Sequence, residues 1–270
     1  MNTKKVVDKL RDDNHYYGVF GKQFLSNSDI STLFNNPLAL GEPSKESAAF
    51  LVGKYFHTAI LEPDKLKSFK IIESTTRNTK AYKEISGGEL CLLKHEVDKI
   101  EAMTDVVMQN KVCSDLIRGA EVEYEKPAVT ELFGNKWKGK ADIINHDDGV
   151  IVDLKTTART PSNLNTAHAR QISIYSKIMN CDAQLLYLIP SKKTDRKTKQ
   201  VTYTSNAIWV EIEDKQKFLD SAVAILRAMD MLLYNCNDKF EVAKMFYPDV
   251  DDWTWNTPTL IEARKKVWGL

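Results

Sequence analysis

Two short strands joined by a tight turn are predicted between residues 138 and 157. The chain there reads Lys138-Gly-Lys-Ala-Asp-Ile-Ile-Asn-His-Asp-Asp-Gly-Val-Ile-Val-Asp-Leu-Lys-Thr-Thr157. The runs at 141–145 and 150–155 favour strands. The turn falls at Asp147-Asp148-Gly149, because glycine accepts the positive φ that a tight turn needs. We therefore expect a β-hairpin here, and the other predicted elements are arranged around it.

Three ionisable side chains are expected to converge at one end of this hairpin. Side chains alternate along a strand, so Asp153 and Lys155 share one face. Asp142 lies at the start of the partner strand and can reach the same place. Such carboxylates can bind a hard divalent cation that activates water, and the backbone carbonyl of Leu154 is a further candidate ligand. The residues alone leave a second interpretation open, a surface hairpin with a cross-strand ion pair worth at most about 1 kcal/mol.

Composition and charge limit the class of protein. The 270 residues include 38 basic and 37 acidic side chains, for a net charge of +1. A nucleic-acid site must therefore come from local clustering of basic residues. The four cysteines are scattered without a CxxC pair, which argues against structural zinc or an iron–sulfur cluster and favours a reduced, intracellular protein. We expect no signal peptide, because residues 1–10 are charged, and no membrane span, because no apolar run is long enough.

The remaining elements predict one domain, residues 1–270, with an N-terminal helical extension at 1–43 and an irregular tail at 235–270. A strand before the hairpin makes an antiparallel meander, and two later strands extend it into a mixed sheet of the α/β (α+β) class. Before the hairpin, we expect a short helix capped by Ser28, a helix at 44–62 capped by Ser44 or Ser47 and ended by Glu62-Pro63, a flexible basic segment at 63–90, a helical region at 91–118 with Val112 in its core, and a strand within 120–135. After the hairpin, we expect a helix at 165–179, a strand at 183–190, a basic loop at 192–199, a strand at 201–212 and a helix at 214–234.

One more carboxylate can reach the hairpin from the strand before it. Alternation places Glu121, Glu123 and Glu125 on one face of that strand. This face can simply be solvated, or it can present a glutamate to the site. We favour Glu125 for the site, with Glu121 and Glu123 as competitors.

Five motifs in order along the chain resemble the PD-(D/E)xK nuclease superfamily, in particular the RecE-like phage and prophage exonucleases (the exodeoxyribonuclease VIII type, related to lambda exonuclease). The resemblance covers most of the chain. The motifs are Gly53 to His57 followed by Leu61-Glu62-Pro63, the basic segment from Arg77 to Lys83, Lys138 to Asp142, Ile151 to Thr157, and Gln171 to Tyr175. Position 153 carries Asp where many relatives have Glu, which shortens the arm by one methylene and keeps the charge.

The resemblance implies a restriction-endonuclease-like core, a mixed central sheet flanked by helices, and a Mg²⁺ site in which Mn²⁺ can substitute. A lone histidine in an amphipathic helix is more often a packing residue, but the resemblance makes His57 a metal ligand. The implied metal ligands are His57, Asp142, Asp153, the Leu154 carbonyl and Glu125. The implied catalytic residues are Asp142, Asp153, Lys155, Gln171 and Tyr175, although Gln171 and Tyr175 can also be a helix-packing pair.

The resemblance also implies an activity and partners. Such enzymes digest linear double-stranded DNA from the 5′ end, leave a 3′ single strand for an annealing protein, and form rings around DNA. A ring needs positive charge only along its channel, which suits a near-neutral chain. The expected location is the cytoplasm of a bacterial host, with a phage or prophage origin. The candidate DNA contacts are Arg77, Lys80, Arg159, Arg170, Lys192, Lys193 and Arg196; residues 192–199 can instead be a solvated hairpin loop.

Two alternatives remain at this stage. One is an endonuclease of the same superfamily, although the sequence shows no separate specificity domain. The other is a catalytically silent protein that binds DNA ends, although Asp142, Asp153 and Lys155 are intact.

Overall fold

The predicted hairpin lies at the centre of a five-stranded mixed sheet with helices on both faces. The structure is a computed structural model that describes residues 3–35, 39–42, 46–157 and 165–234. Its helices are α1 (Thr3–Leu10), α2 (Asp13–Tyr17), α3 (Asn27–Asn35), α4 (Ala48–Leu61), α5 (Lys80–Ser86), α6 (Lys94–Gln109), α7 (Lys111–Arg118), α8 (Thr166–Met179) and α9 (Lys215–Tyr234). Its strands are β1 (Ile71–Ile72), β2 (Leu92–Leu93), β3 (Val122–Leu132), β4 (Asn135–Asn145), β5 (Val150–Thr156), β6 (Asp182–Thr194) and β7 (Val201–Glu211).

The main sheet has the order β3-β4-β5-β6-β7. The β3–β4, β4–β5 and β6–β7 pairs are antiparallel, and β5–β6 is parallel. A parallel pair needs a crossover connection, and α8 supplies it. This confirms the predicted meander and its extension into a mixed sheet. The Asp147-Asp148-Gly149 turn is also as predicted, with Gly149 at φ 65°.

Strand β5 is buried on both faces, and its alternation places the helices. Val150, Val152 and Leu154 belong to a core with side chains of α4, α6 and α7. Ile151 points the other way and packs with residues of α8. The sheet is therefore covered by α4, α6 and α7 on one side and by α8 and α9 on the other, with the last pair packing around Trp137 of β4. The ends of β4 and β5 that carry Asp142 and Asp153 lie between these layers.

The first part of helix α4 confirms one predicted cap. The Ser47 side chain accepts a hydrogen bond from the Phe50 amide, and the helix stops at Leu61, just before Glu62-Pro63. The predicted cap at Ser28 is wrong, because helix α3 begins at Asn27 and Ser28 lies inside its first turn. Ser26 precedes the helix, and Asp29 accepts hydrogen bonds from both its amide and its hydroxyl.

Three further predictions are corrected. Residues 63–90 were expected to be flexible but contain a 3₁₀ turn, β1 and α5. The region 91–118 is two helices, because Asn110 ends α6 and caps α7, and the break leaves Val112 62% exposed. The basic loop is shorter than expected: β6 continues to Thr194, and the turn is held by the Asp195 carboxylate, which accepts from two amides and the Thr198 hydroxyl. Ser44 and the predicted tail at 235–270 lie outside the described residues.

Within the described part of the chain, no helix is both long and apolar enough to cross a membrane.

Gly139 of β4 allows helix α8 to approach the sheet. A Cβ atom there would lie 3.0 Å from the Tyr175 ring and 3.2 Å from Ile178. We predict that Gly139→Ala lowers the free energy of unfolding by about 1–3 kcal/mol, because the buried ring has little room to move. Gly53→Ala is the matched control, since a Cβ at this helical site meets nothing within 4 Å and alanine favours a helix. Urea denaturation measures both, and an unchanged midpoint for Gly139→Ala would contradict this packing.

Candidate active site

The carboxylates of the hairpin lie where strands β4 and β5 separate. The backbone ladder between them joins Ile143, Ile144 and Asn145 of β4 to Val152, Ile151 and Val150 of β5. The next opposed positions along the same register are Asp142 and Asp153. Beyond the ladder, β4 stays paired with β3 and β5 stays paired with β6. We call this point of separation the fork, and both acidic side chains of the predicted motif stand at it.

A side-chain hydrogen bond spans the fork. The Leu154 amide donates to Asp142 Oδ2 at 2.8 Å, so Asp142 is fixed against β5 where the backbone ladder has ended. The same oxygen lies 3.4 Å from His57 Nδ1. The structure thus places Leu154 at the site through its N–H group, while a role for its carbonyl as a ligand stays a prediction.

Three potential ligands cluster on the α4 side of the fork. One donor atom each from His57, Glu125 and Asp142 lie within 4.8 Å of one another. His57 comes from α4, Glu125 from β3 and Asp142 from β4. Asp142 is 8% exposed. Three chain segments that are far apart in sequence therefore meet around a space of the size that a metal ion needs.

Glu125 reaches this cluster because the backbone breaks the alternation of β3. Its φ is 48°, in the left-handed region. Tyr124 packs on the core beneath α4, and the next side chain, Glu125, also joins Asp142. Glu123 instead contacts His146 at 2.8 Å and Lys126 at 2.6 Å, and Glu121 is exposed. The prediction that all three glutamates share one face is wrong, but the preference for Glu125 agrees with the structure.

Asp153 forms the second half of the site with groups from α8 and β5. Its side chain is almost fully buried, and Gln171 Nε2 donates to its Oδ1 at 3.3 Å. Gln171 also bonds the Tyr175 hydroxyl at 3.3 Å. The Lys155 ammonium contacts Asp153 Oδ2, yet that buried oxygen accepts no well-aligned hydrogen bond. Asp153 Oδ2 is thus held by the charge of Lys155 and not by an aligned hydrogen bond.

Burial and charge push the pKa values of the two aspartates apart. Burial raises the pKa of Asp153 to about 6, against the opposing charge of Lys155, and the Asp142 charge adds to the rise. Burial also acts to raise the pKa of Asp142, but His57, Lys155 and the Leu154 amide outweigh it, so that pKa is lowered. Asp142 is therefore ionised across the physiological pH range, whereas Asp153 can take up a proton near its raised pKa of about 6.

The two basic groups are tuned by the same carboxylates. Burial acts to lower the pKa of Lys155, but Asp153 and Asp142 more than offset this and raise it. Lys155, whose side chain is 18% exposed, is therefore a partly buried cation at neutral pH. Burial likewise acts to lower the pKa of His57, and the charge and hydrogen bond of Asp142 raise it overall. In the absence of a metal, His57 carries part of the positive charge that balances the site.

The donors at the fork fit a divalent cation. Carboxylate oxygens are ligands that Mg²⁺ and Mn²⁺ prefer, and an imidazole is a common ligand of divalent transition-metal ions. Asp153 itself is not among the three groups that lie within 4.8 Å of one another.

The site opens into a cleft of about 920 Å³. Helix α2 forms one wall and α4 another, with Tyr17 65% exposed and Phe50 58% exposed. Lys140 of β4 reaches into this space and contacts Asp13 at 2.5 Å and Glu125 at 3.2 Å. Sequence reasoning missed the α2 residues and Lys140. Lys140 could have been found, because it precedes Asp142 by two residues and so shares its strand face.

Two of the predicted DNA contacts are engaged within the protein. Arg170 is 4% exposed, and its guanidinium donates to Asn27 and Ser31. Arg77 makes a two-pronged contact with the Glu96 carboxylate at 2.9 and 2.6 Å. The predicted DNA contact of Arg170 is therefore wrong, because this side chain is buried. Arg77 is partly exposed beside Glu96, and its DNA contact stays a prediction.

The other predicted contacts are differently placed. Lys80 has a side chain that is 91% exposed, with Glu84 at 3.8 Å, and Arg196 is exposed in the β6–β7 turn. Lys192 and Lys193 belong to β6, where their backbones pair with Tyr203 and Thr202, and not to a loop. Arg159 lies outside the described residues. A DNA-binding role for these five stays a prediction.

The mixed sheet and the acidic fork define a PD-(D/E)xK nuclease domain, a class that implies a divalent metal and a DNA substrate. The chain belongs to the family described as a PDDEXK-like domain of unknown function (DUF3799), whose model matches residues 35–181. That range contains His57, Glu125, Asp142, Asp153 and Lys155, together with Gln171 and Tyr175.

Several solved structures match the chain, and two of them show the range of similarity. A Eubacterium rectale protein named "Putative exonuclease" is 17% identical, with a TM-score of 0.55 over 93% of this chain and 92% of that one. This likeness supports the fold. The protein SSO0001 is 18% identical over 67% of this chain and 86% of that one, and its TM-score of 0.30 supports no argument. No curated protein matches the chain.

The stability of the metal-free protein should depend on pH in a defined direction. Folding raises the pKa values of His57, Glu125 and Asp153, so the folded state binds their protons more tightly than the unfolded state. His168 acts in the opposite direction, because burial lowers its pKa to about 4, so the contribution of Asp153 is measured as a difference between two proteins. We predict that, from pH 8 to pH 5, the free energy of unfolding in urea and EDTA changes by about 1–2 kcal/mol more favourably in the wild type than in Asp153→Asn. The same pH dependence in both proteins would contradict the assignment.

Proposed function

We propose that this chain is a Mg²⁺-dependent exonuclease of the RecE-like type that degrades linear double-stranded DNA. One observation carries the proposal. At the fork, Asp142 and Asp153 occupy opposed strand positions, with His57 and Glu125 beside the first and the partly buried Lys155 ammonium against the second. This is a set of groups that can bind a divalent metal and a phosphate together, and an ion-paired surface hairpin would not bury them.

The chain's own residues divide the chemistry of phosphodiester hydrolysis. Bound metal would polarise the phosphate and lower the pKa of a water ligand. Lys155, held as a cation by Asp153 and Asp142, can donate to a phosphate oxygen as negative charge develops there. Gln171 fixes the orientation of Asp153 and is itself held by Tyr175. The QxxxY pair of α8 therefore keeps the acidic group in place rather than reacting with the substrate.

The walls of the cleft suit nucleic acid. Tyr17 and Phe50 present exposed aromatic rings, and Lys54 is an exposed cation on the same cleft. Aromatic rings stack on bases whatever the sequence, and lysines contact phosphates, so such a surface binds DNA without sequence preference. This supports an enzyme that processes DNA of any sequence.

The finer points of the proposal rest on the resemblance of the motifs. They are digestion in the 5′ to 3′ direction, use of Mn²⁺ in place of Mg²⁺, a ring-shaped homo-oligomer, a single-strand annealing partner for recombination, and work in the cytoplasm of a phage-infected or prophage-carrying bacterium. The name of the Eubacterium rectale protein agrees with an exonuclease. We also propose that residues 1–270 act as one nuclease domain, because α2 of the N-terminal extension forms a wall of the cleft.

A comparison of DNA forms tests the proposal. Linear, nicked and covalently closed circular duplexes are incubated with the protein and Mg²⁺, and acid-soluble nucleotides are measured. We expect release from linear DNA alone. Lys155→Ala should lower the rate at least about 100-fold, because the phosphate loses its cation, while Mn²⁺ binding and DNA binding are retained.

The same experiment separates the alternatives. Lys111→Ala is the control, because Lys111 is an exposed lysine that does not line the cleft, and it should degrade linear DNA at the normal rate. Cleavage of closed circles would indicate an endonuclease instead. Binding of DNA ends without any metal-dependent loss of DNA would indicate a silent end-binding protein.

A further inference from the structure

Lys140 lies where it can compete with a metal ion. Its ammonium is 3.2 Å from Glu125 Oε2, and Glu125 is one of the three clustered ligands at the fork. A divalent cation that bound Glu125 would lie close to the Lys140 ammonium and would be repelled by it. Binding of Glu125 by the lysine therefore weakens its binding by the metal.

The Lys140 side chain is largely shielded from solvent and is held by its neighbours. Its side chain is 10% exposed, and its ammonium lies 5.3 Å from the ring centre of Tyr16 and 5.7 Å from that of Tyr17. Such rings attract a cation. Helix α2 thus packs two aromatic rings near the lysine.

Asp13 gives the ammonium a second anchor. Its Oδ1 lies 2.5 Å from Lys140 Nζ, and Asp13 is the first residue of α2. The Asp12 side chain caps this helix by accepting from the Asn14 amide at 2.8 Å. The lysine is therefore shared between a carboxylate of the metal cluster and a carboxylate outside it.

We propose that Lys140 is the internal counter-ion of the metal centre: its ammonium is shared between Glu125 and Asp13, and a divalent cation that binds Glu125 displaces it to Asp13 alone. Lys140 is thus a positioning residue that sets the metal affinity. Helix α2, through Asp13, makes the site available by drawing the ammonium away. This inference rests on the proposed metal centre and not on cleavage of DNA.

The proposal requires opposite effects from two substitutions. Lys140→Met removes the competing charge and should tighten Mn²⁺ binding about tenfold. Asp13→Asn removes the second anchor, leaves the lysine to Glu125, and should weaken Mn²⁺ binding about threefold. Mn²⁺ binding is measured by electron paramagnetic resonance on the full chain without DNA. A purely structural role would shift both variants toward weaker binding.

Matched controls separate competition between Lys140 and the metal for Glu125 from the effect of the overall charge of the cleft on metal affinity. Lys54→Met and Glu62→Gln each neutralise one charge that lines the same cleft, and each should change the affinity less than twofold. In the Lys140→Met background, Asp13→Asn should have no more effect than Glu62→Gln, because the lysine it acts through is gone.

The outcomes are decisive in each direction. The inference is overturned if both substitutions shift the affinity the same way, if Lys140→Met matches Lys54→Met, or if the wild-type chain binds no Mn²⁺. Asp13 has a side chain that is 62% exposed, so Asp13→Asn still tests the idea if Lys140→Met does not fold. A wild-type chain that binds Mn²⁺ with these effects but leaves linear DNA intact would sink the exonuclease proposal and keep this one.

Discussion

The hydrogen bond from the Leu154 amide to Asp142 Oδ2 is the contact on which the site depends. Strands β4 and β5 separate just before it, and the side chain of Asp142 takes over the role of the lost backbone ladder. This keeps Asp142 close to the strand that carries Asp153 and Lys155. The same Oδ2 lies 3.4 Å from His57 Nδ1, so one oxygen connects Asp142 to both β5 and α4.

The site concentrates charge in a place where water is largely excluded. Burial alone favours the neutral form of every group there, as the raised pKa of Asp153 shows. The chain compensates by pairing opposite charges, with Lys155 against Asp153, His57 against Asp142, and Lys140 against Glu125. A divalent cation would replace part of this internal positive charge.

The hairpin and the shared face of Asp153 and Lys155 could be predicted from the sequence, because local patterns and long-range geometry agree along β4 and β5. Apolar alternation and the glycine turn indicated the hairpin, and alternation alone put Asp153 and Lys155 on one face. The family resemblance was needed to bring in His57 and Gln171, since nothing in an amphipathic helix shows what its one histidine or glutamine faces. The buried position of Arg170 and the pairing of Arg77 with Glu96 escaped prediction, because a basic side chain carries no local sign of its partner. Glu125 reaches the site because its own backbone is in the left-handed region, which strand periodicity cannot predict.

The central claim is that the fork is a divalent metal centre made by His57, Glu125 and Asp142. The most direct measurement is a crystal structure of the full chain grown with Mn²⁺, with anomalous diffraction used to locate the ion. The account predicts an anomalous peak within ligand distance of all three side chains, about 2.0–2.3 Å. A peak at another place in the cleft, or no peak at saturating Mn²⁺, would contradict it.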